Sequence, residues 1–107
     1  MRTPRSADDV FAALADPTRR ELLTAIGARG SATATALASD VPVTRQAIVK
    51  HLGVLDEAGL VSGQRHGREV RYAVRTQRLT EAARWLEARA AEWDARLERI
   101  KRLAEGG

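Results

Sequence analysis

Cysteine is absent from the 107 residues, which rules out a disulfide framework and any thiolate metal site. Metal binding would fall to carboxylates and to His51 and His66, the only two histidines, too few for the three or four ligands of a zinc site. Aromatic residues make up only 4% of the chain, so a sheet built from large side chains is disfavoured and Ala-rich helices are favoured. No stretch approaches the ~18 apolar residues of a membrane span. The start, Met1-Arg2-Thr3-Pro4-Arg5, lacks the apolar segment of a secretory signal, and a cytoplasmic protein is expected. No nucleophile stands beside a base, and no glycine-rich phosphate loop occurs. Neither an enzyme nor a cofactor is expected. The length suits one domain, residues 1–107, around a single modest core.

What the chain does have is localised positive charge. From Pro42 to Arg78 there are seven basic residues, Arg45, Lys50, Arg65, Arg68, Arg71, Arg75 and Arg78, against Asp56, Glu57 and Glu69. This segment holds the entire net charge of +4, and the remainder is balanced. A basic patch on a neutral body is the electrostatic footprint of a polyanion-binding protein.

The order of elements follows from punctuation and periodicity. Ser6-Ala7-Asp8-Asp9 has the form of a capping box and opens a first helix with Val10, Phe11 and Leu14 on one side. Asp16-Pro17 starts a second, running to about Ala28, with Leu22, Leu23 and Ile26 buried and Gly30 beyond its end. Thr33 to Ser39 predicts a short helix with Leu37 and Ala38 inward. Asp40-Val41-Pro42-Val43 is a tight connection, and Thr44 caps a helix from Arg45 to about Ala58 that stops at Gly59-Leu60. That is helix-turn-helix spacing, over about residues 33–58.

Leu60 to Arg65 and Glu69 to Arg75 alternate as strands of a hairpin turning through His66-Gly67-Arg68, with arginines at its tip and outer face. This is a wing, at about 60–75. From Leu79 to Ala104 the series Leu79, Ala83, Leu86, Ala90, Trp93, Leu97, Ile100 and Ala104 steps alternately by four and three, a heptad seam. Glu92 with Arg96 and Glu98 with Arg102 stand at salt-bridge spacing on its flanks. A helix of about 39 Å is too long for this body alone. Its apolar stripe needs a second chain, so a homodimer is expected.

On the helix from Arg45, steps of 100° gather Ile48, Leu52 and Leu55 within about 60° of one another as the buried face. Gln46, Lys50 and Gly53 fall opposite, flanked by Val49 and Arg45, and no acid occurs between Thr44 and Asp56. Gln pairs with adenine, Arg or Lys with guanine, a Val methyl with the thymine methyl, and Gly lets the backbone approach. Such a surface suits a DNA groove. The expected DNA-binding set is Thr44, Arg45, Gln46, Val49, Lys50, His51, Arg65, Arg68 and Arg71. The alternative is a winged-helix module that binds a protein through the same face.

The stretch TATALASDVPVTRQAIVKHLGVLDEAGLVSGQRHGREVRYAV, extended back to DPTRRELL, resembles the winged helix-turn-helix of ArsR/SmtB-type bacterial repressors. The resemblance implies a mainly α fold in the order α-α-α-α-β-β-α that dimerises through its terminal helices. It further implies that the helix with Arg45, Gln46, Val49, Lys50 and His51 enters the major groove and that the wing touches backbone or minor groove. Dimer contacts are expected from Val10, Phe11, Leu86, Trp93, Leu97 and Ile100, within a dimerisation helix at about 79–104. Metal-sensing members carry Cys-x-Cys where this chain has Thr33 and Thr35, and no histidine follows His66 for a site on the last helix. The chain is closer to a metal-independent branch. The expected function is repression at an inverted-repeat operator on double-stranded DNA, with any small-molecule or protein effector unidentified and Trp85 and Trp93 marking one place for it.

Overall fold

The computed structural model describes residues 7–106. Five helices and one hairpin follow in the order α1 (Ala7–Leu14), α2 (Pro17–Arg29), α3 (Ala34–Asp40), α4 (Arg45–Glu57), β1 (Val61–His66), β2 (Glu69–Val74) and α5 (Gln77–Glu105). Ser6 lies outside the described residues, so the first half of the expected capping box does too.

Helices α2, α3 and α4 each start where a side chain satisfies a free amide, whereas Thr76 before α5 makes no such bond. Asp16 accepts from the amides of Thr18 at 2.7 Å and Arg19 at 3.4 Å, Thr33 from Ala36 at 3.1 Å, and Thr44 from Ala47 at 3.1 Å. α4 ends in a left-handed residue, Gly59 at φ +80, and the Leu60 amide reaches back to the Leu55 carbonyl at 2.9 Å. Leu60 is thereby locked into the core, fully buried.

α1 has no basic residue in its last turn, yet its terminal carbonyls are not left bare. Arg19 donates to the Ala13 carbonyl at 2.6 Å and to Ala12 at 3.2 Å, while Arg20 reaches Leu14 at 2.6 Å. The Asp-Pro-Thr-Arg-Arg run is thus a clamp. It starts α2 and closes α1 with consecutive residues.

Leu22 and Ile26 of α2, Leu37 of α3 and Ile48, Leu52 and Leu55 of α4 form the centre of the core with Val10, Leu60 and Val61. Two expectations are corrected. Ala38 is exposed and Ala34 takes the inward place beside Leu37, because the buried face of α3 is set by Leu37 and by Val41 just past its end, and Ala38 falls about 100° from Leu37, on the flank of that face. Glu92 pairs with Arg89 at 2.8 Å instead of Arg96, whose guanidinium lies over the Trp93 indole, 5.2 Å from the ring centroid.

The hairpin turn is shorter than expected: His66 pairs with Glu69, leaving Gly67 and Arg68 as the two turn residues, with Gly67 at φ +63. The strands run antiparallel with Gly63 opposite Tyr72. A Cβ on Gly63 would stand 2.9 Å from the Tyr72 ring, so glycine is what allows the ring to lie across the strand. Tyr72 also exchanges backbone hydrogen bonds of 3.0 and 2.8 Å with Ala32, a bridge that fixes the wing to the segment before α3.

α5 rests on α1 through Ala82 and through Trp85, whose ring is 5.7 Å from that of Phe11. Beyond Arg89 every described residue is exposed. At 29 residues the helix is about 43 Å long, and the described chain spans 70 Å.

Two predictions concern stability. Arg19→Met leaves α1 carbonyls without their charged donor and should cost about 1.5–3 kcal/mol in urea denaturation; an unchanged midpoint would show the clamp to be ornamental. For pH, burial opposes the Asp16 carboxylate, but the Thr18 and Arg19 amides and the charges of Arg19 and His51 outweigh it and hold its pKa below the ordinary value. Asp40 is lowered by hydrogen bonds of 2.7 and 3.1 Å from Arg29, against a smaller opposing effect of burial. Both contribute stability that is present above the unfolded carboxylate range, near pH 4, and lost as pH falls through the lowered folded values. Thermal melts at decreasing pH should therefore show a decline that begins below about pH 4 and is shallower in Asp40→Asn.

Candidate nucleic-acid interface

The burial of Ile48, Leu52 and Leu55 fixes the rotation of α4 about its own axis. With those three inward, Arg45, Gln46, Val49, Lys50 and Gly53 are all exposed, and Val49 keeps 44% of its surface. An amide, two cations and a methyl-bearing side chain therefore share one outward stripe. Arg45 is held across the turn: its Nε donates to the Thr35 hydroxyl oxygen at 3.2 Å. Thr44 is exposed, and its side-chain oxygen is engaged in capping.

His51 stands apart from this stripe. It is half-buried on the core-side flank of α4, and its charge acts on Asp16 at the start of α2. The register separates the wing arginines as well. Arg65 pairs with Val70 and shares a face with Tyr72, whereas Arg71 pairs with Gln64 on the opposite face and lies 3.7 Å from Glu69. The expected cluster of arginines on one outer face is corrected accordingly: alternation along the strands divides Arg65 from Arg71. Arg68 occupies the turn itself, and Arg65 leans over that turn, 3.4 Å from the Gly67 carbonyl.

Between α3, the first turns of α4 and the wing lies a cleft of about 630 Å³ that sequence reasoning did not foresee. Arg45 and Val49 form one wall, Arg68, Val70 and Tyr72 another. The Ala32–Tyr72 bridge creates this cleft by setting the wing beside α3. A single bridge between non-adjacent segments leaves no periodic trace in a sequence.

On α5, Trp85, Leu86, Trp93, Leu97, Ile100 and Leu103 are 45–75% exposed. Phe11 is half-buried against Trp85. Val10, expected among the dimer contacts, is 1% exposed and belongs to the chain's own core, with no surface left for a partner.

Comparison with known proteins places this geometry. The pattern of a family described as a helix-turn-helix domain matches residues 14–64. A solved structure, an ArsR-like transcriptional regulator from Rhodococcus sp. RHA1, is 49% identical and superposes with a TM-score of 0.82 over 92% of both chains. The transcriptional repressor SdpR of Bacillus subtilis is 32% identical over 79 residues, 74% of this chain and 87% of that protein. A probable mercury resistance operon repressor of Streptomyces lividans is 32% identical over 104 residues, 97% of this chain and 82% of that protein.

The chain belongs to the ArsR family. It is a DNA-binding transcriptional regulator with the winged helix-turn-helix fold, and its family is one of regulators, not enzymes. Of the two functions the sequence left open, DNA-binding regulation is the one that holds. Among the described residues of this ArsR-family chain, no helix is long and apolar enough to cross a membrane.

If α4 reads base edges, Gln46→Ala and Lys50→Ala should each cost about 1–3 kcal/mol on the cognate site and relax preference at one base position. Fluorescence anisotropy against a panel of single-base operator variants measures this, and equal loss on every duplex would exclude base reading. Arg68→Ala should weaken binding to all sequences alike and reduce the salt dependence by about one ion.

Proposed function

We propose that the protein is a homodimeric repressor that binds an inverted-repeat operator in the cytoplasm and does so without a metal. The observation that carries the reading is the coexistence of two surfaces on one small body. The first is the stripe of Arg45, Gln46, Val49 and Lys50 beside Arg65 and Arg68, free of acids along the helix up to Asp56. The second is the uncovered apolar side of α5.

Two copies joined along α5, with Phe11 of α1 at the margin, would cover Trp85, Leu86, Trp93, Leu97 and Ile100. A patch of this extent marks an association surface. Two-fold symmetry would then present two α4 helices to successive major grooves, about 34–36 Å apart along the duplex. An isologous dimer reads an inverted repeat for the same reason. Thr44, Arg45, Gln46, Val49 and Lys50 meet the groove in this arrangement, Arg65 and Arg68 meet the backbone, and Arg71 is a peripheral phosphate contact. His51 orients α4 from its inner flank.

Metal independence rests on chemistry. Thr33 and Thr35 offer neutral hydroxyls in place of thiolates, and the two histidines stand on separate elements, α4 and β1. Repression is supported by the names of two relatives, the transcriptional repressor SdpR and the probable mercury resistance operon repressor of Streptomyces lividans.

The direct test is binding of the protein to its own upstream region and to a random duplex of equal length, at two salt concentrations, with chelator present. Selective, chelator-insensitive binding is expected, and selectivity that disappears with chelator would restore a metal. Leu97→Asp places a charge in the seam and should give monomers in analytical ultracentrifugation that bind DNA poorly. A dimeric Leu97→Asp protein would remove α5 from the interface.

A further inference from the structure

The cleft between α3, α4 and the wing has walls that differ in chemistry, cationic at Arg45 and Arg68 and apolar at Val49 and Val70. We infer that it binds a small organic anion with a flat apolar body, and that this ligand and DNA exclude one another. The inference rests on the DNA-binding role given above to α4 and the wing.

Size comes first. At about 630 Å³ the cleft lies within the range of small-molecule sites, which run from roughly 300 to 1,000 Å³. Its walls combine apolar surface with a few polar groups, as such sites do. Val49 and Val70 face it from opposite sides, and the Tyr72 ring, held across Gly63, supplies a planar wall. Tyr72 is the chain's only tyrosine, and both its N–H and its carbonyl are bonded to Ala32 on one edge while Gly63 of β1 stands at the other, so its backbone is held in place.

Charge then selects the ligand. Arg45 and Arg68 line the cleft from α4 and from the wing turn. The Thr35 hydroxyl holds Arg45 by Nε alone, so the guanidinium is oriented while its terminal nitrogens have no partner among the described residues. A carboxylate or sulfonate accepts from a fork of this kind. Glu69 is the one acid on the lining, and its carboxylate is 3.7 Å from Arg71 on the outer face of the wing. The hydroxyls of Thr33 and Ser39 add neutral donors at the α3 side.

The consequence is regulatory. A ligand in this cleft covers Arg45, Val49 and Arg68, which belong to the DNA-binding surface, so occupancy by one excludes the other without any change of shape. Release from the operator would then follow from competition at the interface. Linkage requires the effect to be mutual: DNA must displace the ligand to the same degree.

The probe is 8-anilinonaphthalene-1-sulfonate, an aromatic anion whose emission rises on binding, titrated into the intact protein with and without the selected duplex. Ser39→Trp fills the cleft from an exposed position on α3, and Arg68→Gln removes one cation from an exposed turn. Each should raise the Kd of the probe about tenfold or more, the scale of one lost charge-assisted hydrogen bond. The duplex should displace the probe, and the apparent Kd for the duplex should rise in proportion to probe concentration. Emission unchanged by both substitutions would place the probe on the apolar face of α5 and overturn the assignment. So would a ternary complex in which anisotropy reports bound duplex while probe emission persists. Failure of the duplex to bind in the absence of probe would instead refute the DNA-binding role; competition then falls with it, and the substitutions alone decide the anion site.

Discussion

Everything outward on this protein is positioned by what α4 turns inward. Ile48, Leu52 and Leu55 are completely buried among Leu22, Ile26 and Leu37, and their burial removes one rotational freedom from the helix. A methylene lost from such a site costs on the order of 1 kcal/mol. Rotating α4 by a single residue position would exchange these side chains for Val49, Gly53 and Asp56 in one direction or Ala47, His51 and Val54 in the other, each set with less apolar bulk and a polar or charged member, so the core enforces the phase of the outward stripe. The same helix fixes the wing, since Gly59 and Leu60 end α4 and the Arg75 amide returns to the Leu60 carbonyl at 2.8 Å. Helix and hairpin therefore leave the core from one anchored point.

A second set of contacts links this unit to the far end of the molecule. Trp85 of α5 meets Phe11 of α1, the end of α1 is held by Arg19 and Arg20, and Asp16 joins that clamp to the start of α2. α2 in turn packs against α4 through Leu22 and Ile26. These are short, directional hydrogen bonds and tight apolar contacts, with no long flexible connection among them. In a dimer built on α5, the separation of the two α4 helices would be inherited from this series of rigid joints.

How far the sequence was legible depends on the range of the interaction. Caps and terminators are local, and Asp16, Thr33, Thr44, Gly59 and Gly67 all act where their residue types predict. Periodicity carried the inward face of α4 and the exposed stripe of α5. Short segments were read less well: seven residues of α3 complete too few turns to set a phase, and Ala34 and Ala38 are chemically identical. The hairpin was recognised, but its arginines were misassigned until the register was known, because one residue of turn length reverses every side chain beyond it. The clamp by Arg19 and Arg20 and the bridge from Ala32 to Tyr72 join groups whose partners are backbone atoms. Backbone is the same at every position, so such contacts leave no compositional mark.

Both tryptophans, Trp85 and Trp93, lie on α5, each beneath an arginine guanidinium at 5.1 and 5.2 Å, and none lies on α4 or the wing. The tryptophan emission of the protein consequently originates wholly on α5. It is an intrinsic optical gauge of the environment along α5, with no chromophore of its kind at the opposite surface to confuse the signal.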